Sequence, residues 1–116
     1  MDTIKISVYA ITGDSFCVAA EDGEKVFEQI KKGLVEGRKI DISFLNVEML
    51  TSAFLNTAIG KLYGDFDETK VKNMLSVSDI SDTDKLLLKR VVDTAKAYYK
   101  DPDQFKNSIK EILEDK

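Results

Sequence analysis

The chain has 116 residues, 43% of them hydrophobic and 33% charged, which suits one domain burying roughly two-thirds of the surface its unfolded chain exposes. It contains no histidine, and this excludes imidazole acid–base chemistry, Ser-His-Asp and Cys-His nucleophile arrangements and most zinc sites. Seventeen Lys and Arg against 21 Asp and Glu leave a net charge of −4, with Arg38 and Arg90 the only arginines, whereas a protein that grips a phosphate backbone carries a basic surplus.

Taken in chain order, Ile4, Ile6, Val8 and Ala10 alternate with Thr3, Lys5, Ser7 and Tyr9, the period of a strand over residues 3 to 10 with one buried face. Gly13-Asp14-Ser15 reads as a turn, after which Phe16-Cys17-Val18 is expected to return as a short hairpin partner. Val26, Phe27, Ile30 and Leu34 recur at helical spacing, so a helix is expected from about residue 23 to Glu36, with Gly37 suited to its end. Ile40, Ile42 and Phe44 then mark a second strand. The strand, helix, strand order implies a right-handed crossover and partly parallel pairing.

After a polar connection through Asn46 and Glu48, the residues Phe54, Leu55, Ala58, Ile59 and Leu62 fall on one helical face, with Thr51 or Ser52 able to cap its start. Asp67 is expected to cap a short helix to about Asn73, followed by a strand over Met74 to Ser78. Ser81 or Asp82 then caps a long helix whose apolar face uses Leu87, Leu88, Val91, Ala95 and Tyr98, ending near Lys100 before Pro102. From Asp103 a last helix carries Phe105, Ile109, Ile112 and Leu113 on one side. The expected architecture is α/β: a small mixed, partly parallel sheet covered by helices. Residues 1–116 form a single domain in this reading, with 82–116 a helical C-terminal extension.

A lone Cys17 forms no internal disulfide, and no CxxC pair or histidine stands by to build a metal site around it. The start MDTIKISVYA lacks the pattern of a secretory signal, and no apolar run is long enough to span a bilayer. The expectation is a cytoplasmic protein that binds neither membrane nor nucleic acid and holds no cofactor or metal.

Residues 51–63, TSAFLNTAIGKLY, place two hydroxyls at the N-terminus of an amphipathic helix, where free N–H groups and the helix dipole favour an anion. A phosphate on Ser52 would add about −1.5 to −2 charge and strong acceptors, whereas a plain N-cap at Ser52 or Thr51 is worth about 1 kcal/mol. Other features read as structural. Cys17 lies between Phe16 and Val18 as a small hydrophobe. Asp79, Asp82 and Asp84 lack the spacing of a calcium loop and suit helix capping. Of Tyr98 and Tyr99, periodicity sends one into the core and leaves the other as a candidate contact surface. No glycine arrangement cradles a phosphate.

This order of elements resembles the STAS domain of the anti-sigma-factor antagonists, and within it a STAS-like family of unknown function. The resemblance rests on the strand Ile40 to Phe44, the connection Leu45-Asn46-Val47-Glu48, and the run Thr51-Ser52-Ala53-Phe54-Leu55-Asn56 with Ala58-Ile59-Gly60-Lys61-Leu62-Tyr63. In the antagonists this helix start reads Asp-Ser-Ser-Gly and a serine there is phosphorylated by a kinase of the histidine-kinase-type ATPase fold; the dephosphorylated form binds that kinase and frees a sigma factor. Here Thr51 replaces the aspartate, Ala53 the second serine and Phe54 the glycine, so Ser52 alone carries over. The STAS-like family also reads Asp-Phe where this chain has Ser43-Phe44, and an arginine where it has Ala19-Ala20-Glu21.

The resemblance implies a non-catalytic regulatory module, a monomer or weak homodimer, that binds a protein partner such as a histidine-kinase-type ATPase. Ser52 and Thr51 are the phosphoacceptor candidates, and Asn46, Glu48 and Asn56 the candidate partner or ligand surface. The alternative is a small-molecule or nucleotide sensor using the helix N-terminus at Thr51-Ser52. An enzyme would need converging Asp41, Glu48 or Lys61 groups.

Overall fold

The computed structural model describes residues 3–100, so the helix expected from Asp103 lies outside the described residues. The chain runs β1 (Thr3–Ser7), α1 (Val8–Thr12), β2 (Phe16–Cys17), α2 (Ala20–Val35), β3 (Lys39–Ser43), β4 (Met49–Leu50), α3 (Ser52–Leu55), a π-helical segment (Asn56–Gly60), α4 (Leu62–Asp65), α5 (Glu68–Met74), β5 (Leu75–Ser78) and α6 (Asp82–Lys100). It is an α/β fold of small parallel sheets and helices, consistent with a STAS-like domain. None of the described helices is long and apolar enough to cross a membrane.

Alternation sets the main sheet. β3 lies between β1 and β5, parallel to both, with Ile40 beside Ile4 and Leu75, and Ile42 beside Ile6 and Val77. A period of two therefore gathers these side chains into two apolar rows on one face and leaves the other face to Lys5, Asp41, Ser43, Ser76 and Ser78. On that polar face Ser76 and Ser78 donate to the two oxygens of Asp41, at 3.0 and 2.7 Å. The apolar face packs under α2, whose Val26, Phe27, Ile30 and Leu34 are buried.

β1 ends three residues before the alternation does. Ser7 Oγ accepts the Ala10 N–H at 3.1 Å and caps α1, and Gly13, at φ 73°, closes α1 by donating to the Tyr9 carbonyl. A cap that satisfies a backbone donor at the sheet's end overrides the three alternating residues that remain. β2 forms where a strand was expected but is not a hairpin partner of β1. It pairs in parallel with β4, Phe16 beside Met49 and Cys17 beside Leu50. Cys17 and Leu50 are buried, so Phe16 and Met49 point outward.

α2 begins at Ala20, earlier than the apolar spacing indicates, with Glu21 and Asp22 in its first turn at the positive end of the dipole. Its end is a Schellman motif: Arg38 N–H donates to Gly33 O and Gly37 N–H to Leu34 O, both at 3.0 Å, around Gly37 at φ 76°. The helix expected after Thr51 buries the expected face, Phe54, Leu55, Ala58, Ile59 and Leu62, but widens to a π turn in its middle. There Thr57 Oγ1 donates to the Ala53 carbonyl at 3.1 Å, the back-bond to the preceding turn that loosens and bends helices.

α6 packs on this broken helix through Val91 and Ala95, and Lys96 reaches Glu68 of α5 at 3.3 Å. Ser81 provides its cap, accepting the Asp84 N–H at 3.1 Å. The described part of the C-terminal extension thus belongs to the packed body.

α2 crosses the broken helix at Gly23, where an added Cβ would lie 2.7 Å from the Phe54 carbonyl oxygen and 3.2 Å from the Ala58 nitrogen. Both are backbone atoms and move only if the helices separate. Gly23→Ala gains about 1 kcal/mol of helix propensity and loses about 1–3 kcal/mol to overpacking. Urea unfolding is expected to show a net loss of stability.

Candidate functional site

The two hydroxyls at the start of α3 have separate tasks. Leu50 is buried and fixes the end of β4, and Thr51 follows in extended conformation as the N-cap. Its Oγ1 accepts the Phe54 N–H at 3.2 Å and donates to the Val18 carbonyl at 2.9 Å. Both hydrogen-bonding roles of that hydroxyl are engaged. Ser52, the first helical residue, is exposed, and its hydroxyl makes no hydrogen bond with the described residues.

Ser52 and Asn56 lie one turn apart, and with Ala53 they form one wall of an open groove of about 370 Å³. The facing wall is α6, which contributes Arg90 and Thr94 above an apolar base of Leu87 and Val91. The groove exists because the small side chain of Ala95, packed near Gly60, lets α6 lie close while Leu87 and Val91 hold it at the α3 end. Arg90 is exposed and forms no ion pair among the described residues. The Arg90 guanidinium and the free Ser52 hydroxyl thus line the same groove, and a guanidinium is chemically suited to pair with an anion.

Of the five residues singled out from the sequence, Ser52 and Asn56 come together in this groove, whereas Thr51 caps the helix. Asn46 and Glu48 lie apart from it. Asn46 takes the left-handed conformation at φ 70° in an exposed turn, and exposed Glu48 uses its N–H to bond the Ser15 carbonyl. Sequence reasoning did not select Arg90 or Thr94 as site residues. Their spacing along the flank of Val91 was the available signal, but nothing in the sequence alone says which helix α6 covers.

Asp41 and Lys61 do not converge. Asp41 is held by Ser76 and Ser78, while Lys61 is bonded to Glu24 at 2.6 Å and lies over the Phe27 ring. Asp79, at φ 57°, accepts the Ser43 hydroxyl at 2.7 Å. At the position where the resemblance expects aspartate, the chain thus has a serine with a carboxylate supplied from β5's end. Among the described residues no group of three His, Cys, Asp or Glu side chains is placed to hold a metal ion.

Cys17 is buried, and that burial pushes its thiol pKa up, against the lowering effect of a hydrogen bond with Thr12. This is the opposite of nucleophile activation. Burial likewise raises the Tyr63 phenol, with Glu68 and Asp93 adding to the effect. Tyr98 and Tyr99 meet edge to face at 4.8 Å, and the Tyr99 ring lies so close to Gly64 that a Cβ there would fall 2.6 Å from it.

The family model described as "STAS-like domain of unknown function (DUF4325)" matches residues 22–85, more than half of the chain and a span that includes most of α2, the main-sheet strand β3 and the whole broken helix. No curated protein and no solved structure shows significant similarity to the chain.

The division of tasks between the two hydroxyls sets an expected pair of stabilities. Thr51→Ala removes the cap and leaves Phe54 N–H without its partner, a loss of about 1 kcal/mol. Ser52→Ala is expected to stay within about 0.5 kcal/mol of the parent. Parallel urea titrations check both.

Proposed function

We infer the function from one premise: the chain belongs to the family of STAS-like domains of unknown function. We propose that it is a non-catalytic regulatory module that binds a protein partner and is switched by phosphorylation of Ser52. The observation that carries this reading is the exposed Ser52 hydroxyl, released from capping by Thr51 and lining the same groove as Arg90. A kinase needs an accessible hydroxyl whose loss costs the fold little, and Ser52 has both properties.

A phosphate there carries about −1.5 to −2 charge, and it acts in two ways. It pairs with a nearby guanidinium, and it keeps adjoining apolar surface hydrated, which disfavours a dry contact. The likeness to anti-sigma-factor antagonists suggests a histidine-kinase-type ATPase as partner, acting in the cytoplasm. The absence of histidine and the separate engagement of Asp41 and Lys61 support a binding role over an enzymatic one.

A second reading is favoured by Arg90 itself. In it the groove beside Thr51-Ser52 receives an anionic small molecule or nucleotide, and the module is a sensor.

Affinity capture from the source organism tests the first reading, with retained proteins identified by mass spectrometry. Wild type and Ser52→Ala are expected to retain an ATPase that Ser52→Glu does not. Equal capture by all three would remove the switch. For the sensor, calorimetry with ATP and GTP is expected to give saturable heat that Arg90→Ala abolishes, and no heat from wild type would exclude these ligands.

A further inference from the structure

The β2–β4 pair is the one place among the described residues where a sheet presents large apolar side chains outward from two paired strands. Phe16 is 51% exposed and Met49 beside it 50%. Val18, two residues after Phe16 and so on the same side of an extended chain, is 41% exposed. Thr51, two residues after Met49, ties to the Val18 carbonyl and completes this face. Leu45, in the turn leading to β4, is exposed as well. Single exposed apolar residues are ordinary, but a contiguous group rimmed by polar residues marks an interaction site.

The two chain segments that build this face carry charge of one sign. Neither residues 6–24 nor residues 40–60 contain a lysine or arginine, although 17 occur in the chain. The first segment brings Asp14 and Glu21, and the second Glu48, all exposed and none in an ion pair among the described residues. A second copy of this chain would set acidic rims against each other. The chain's own residues 101–116 hold five acidic and three basic residues, so they are also of the wrong sign.

We propose that the outer face of β2–β4 is the docking surface for a protein partner that offers apolar side chains flanked by Lys and Arg. This deepens the protein-binding reading above and rests on it. Phe16 and Met49 supply the desolvated centre, where truncation of an anchor costs most. Asp14, Glu21 and Glu48 supply the rim that speeds encounter and rejects acidic partners.

The test uses the full chain as bait for a random peptide display library, with the affinities of selected peptides measured by fluorescence anisotropy. The expected peptides combine Leu, Ile or Phe with flanking Lys or Arg. Their affinity is expected to fall about tenfold or more, or about 1.4 kcal/mol, for Phe16→Ser/Met49→Ser and separately for Glu21→Lys/Glu48→Lys. The second variant leaves the apolar group intact, and circular dichroism melts confirm that both are folded. Amide shifts in the wild type are expected to change at residues 14–18 and 45–52. Peptides that are acidic or neutral, or that bind both variants as tightly as wild type, overturn the proposed surface while leaving the protein-binding reading standing. A library that yields no binder overturns both.

Discussion

Everything in this fold depends on how closely α2 approaches its neighbours. At Gly23 it meets the backbone of the broken helix, and at Gly33 it lies on Ile40, where a Cβ would come within 2.5 Å of the isoleucine's Cδ1. These two contacts fix the helix between the sheet and the Phe54–Leu62 face. Val26, Phe27, Ile30 and Leu34 are then buried from both directions. Without that approach there is no continuous core, and the start of α3 has no fixed place from which to present Ser52.

The main sheet is built economically from short repeats of isoleucine. Ile40 and Ile42 on the central strand touch partners on both sides, and parallel pairing forces the chain to cross over through helices between strands. The crossover from β3 to β5 is long, and it supplies one wall of the candidate groove, with α6 supplying the other. On the polar face of the same sheet, Ser43, Ser76 and Ser78 are held by side-chain bonds to Asp41 and Asp79. Binding surfaces are left to the crossover and to the small β2–β4 pair.

Much of this was legible in the sequence, for identifiable reasons. The helical spacing of Val26, Phe27, Ile30 and Leu34, and of Phe54 through Leu62, reports burial on one face, and burial is what the structure shows. The alternation of Ile40 and Ile42 reports a strand in the same way. Where a local hydrogen bond competes with periodicity, the reading failed: Ser7 ends β1 early, and Thr57 accompanies a π turn in a helix whose apolar pattern is regular. Pairing of β2 with β4 was not legible because two-residue strands have no period, and their contact joins distant segments. The groove was half legible. Ser52 and Asn56 share a helix face, but Arg90 arrives by the packing of α6, which depends on the small volumes at Ala95 and Gly60.

The hydroxyl of Thr51 accepts from one element and donates to another, and this has a dynamic consequence. A two-residue strand pair and a four-residue stretch of α-helix are each too short to persist alone. Bridged by one oxygen, neither can fray without taking a hydrogen bond from the other. The end of β2, the end of β4 and the first turn of α3 therefore open and close as one cooperative unit. An event that loosens the strand pair is felt at the helix start within the same fluctuation.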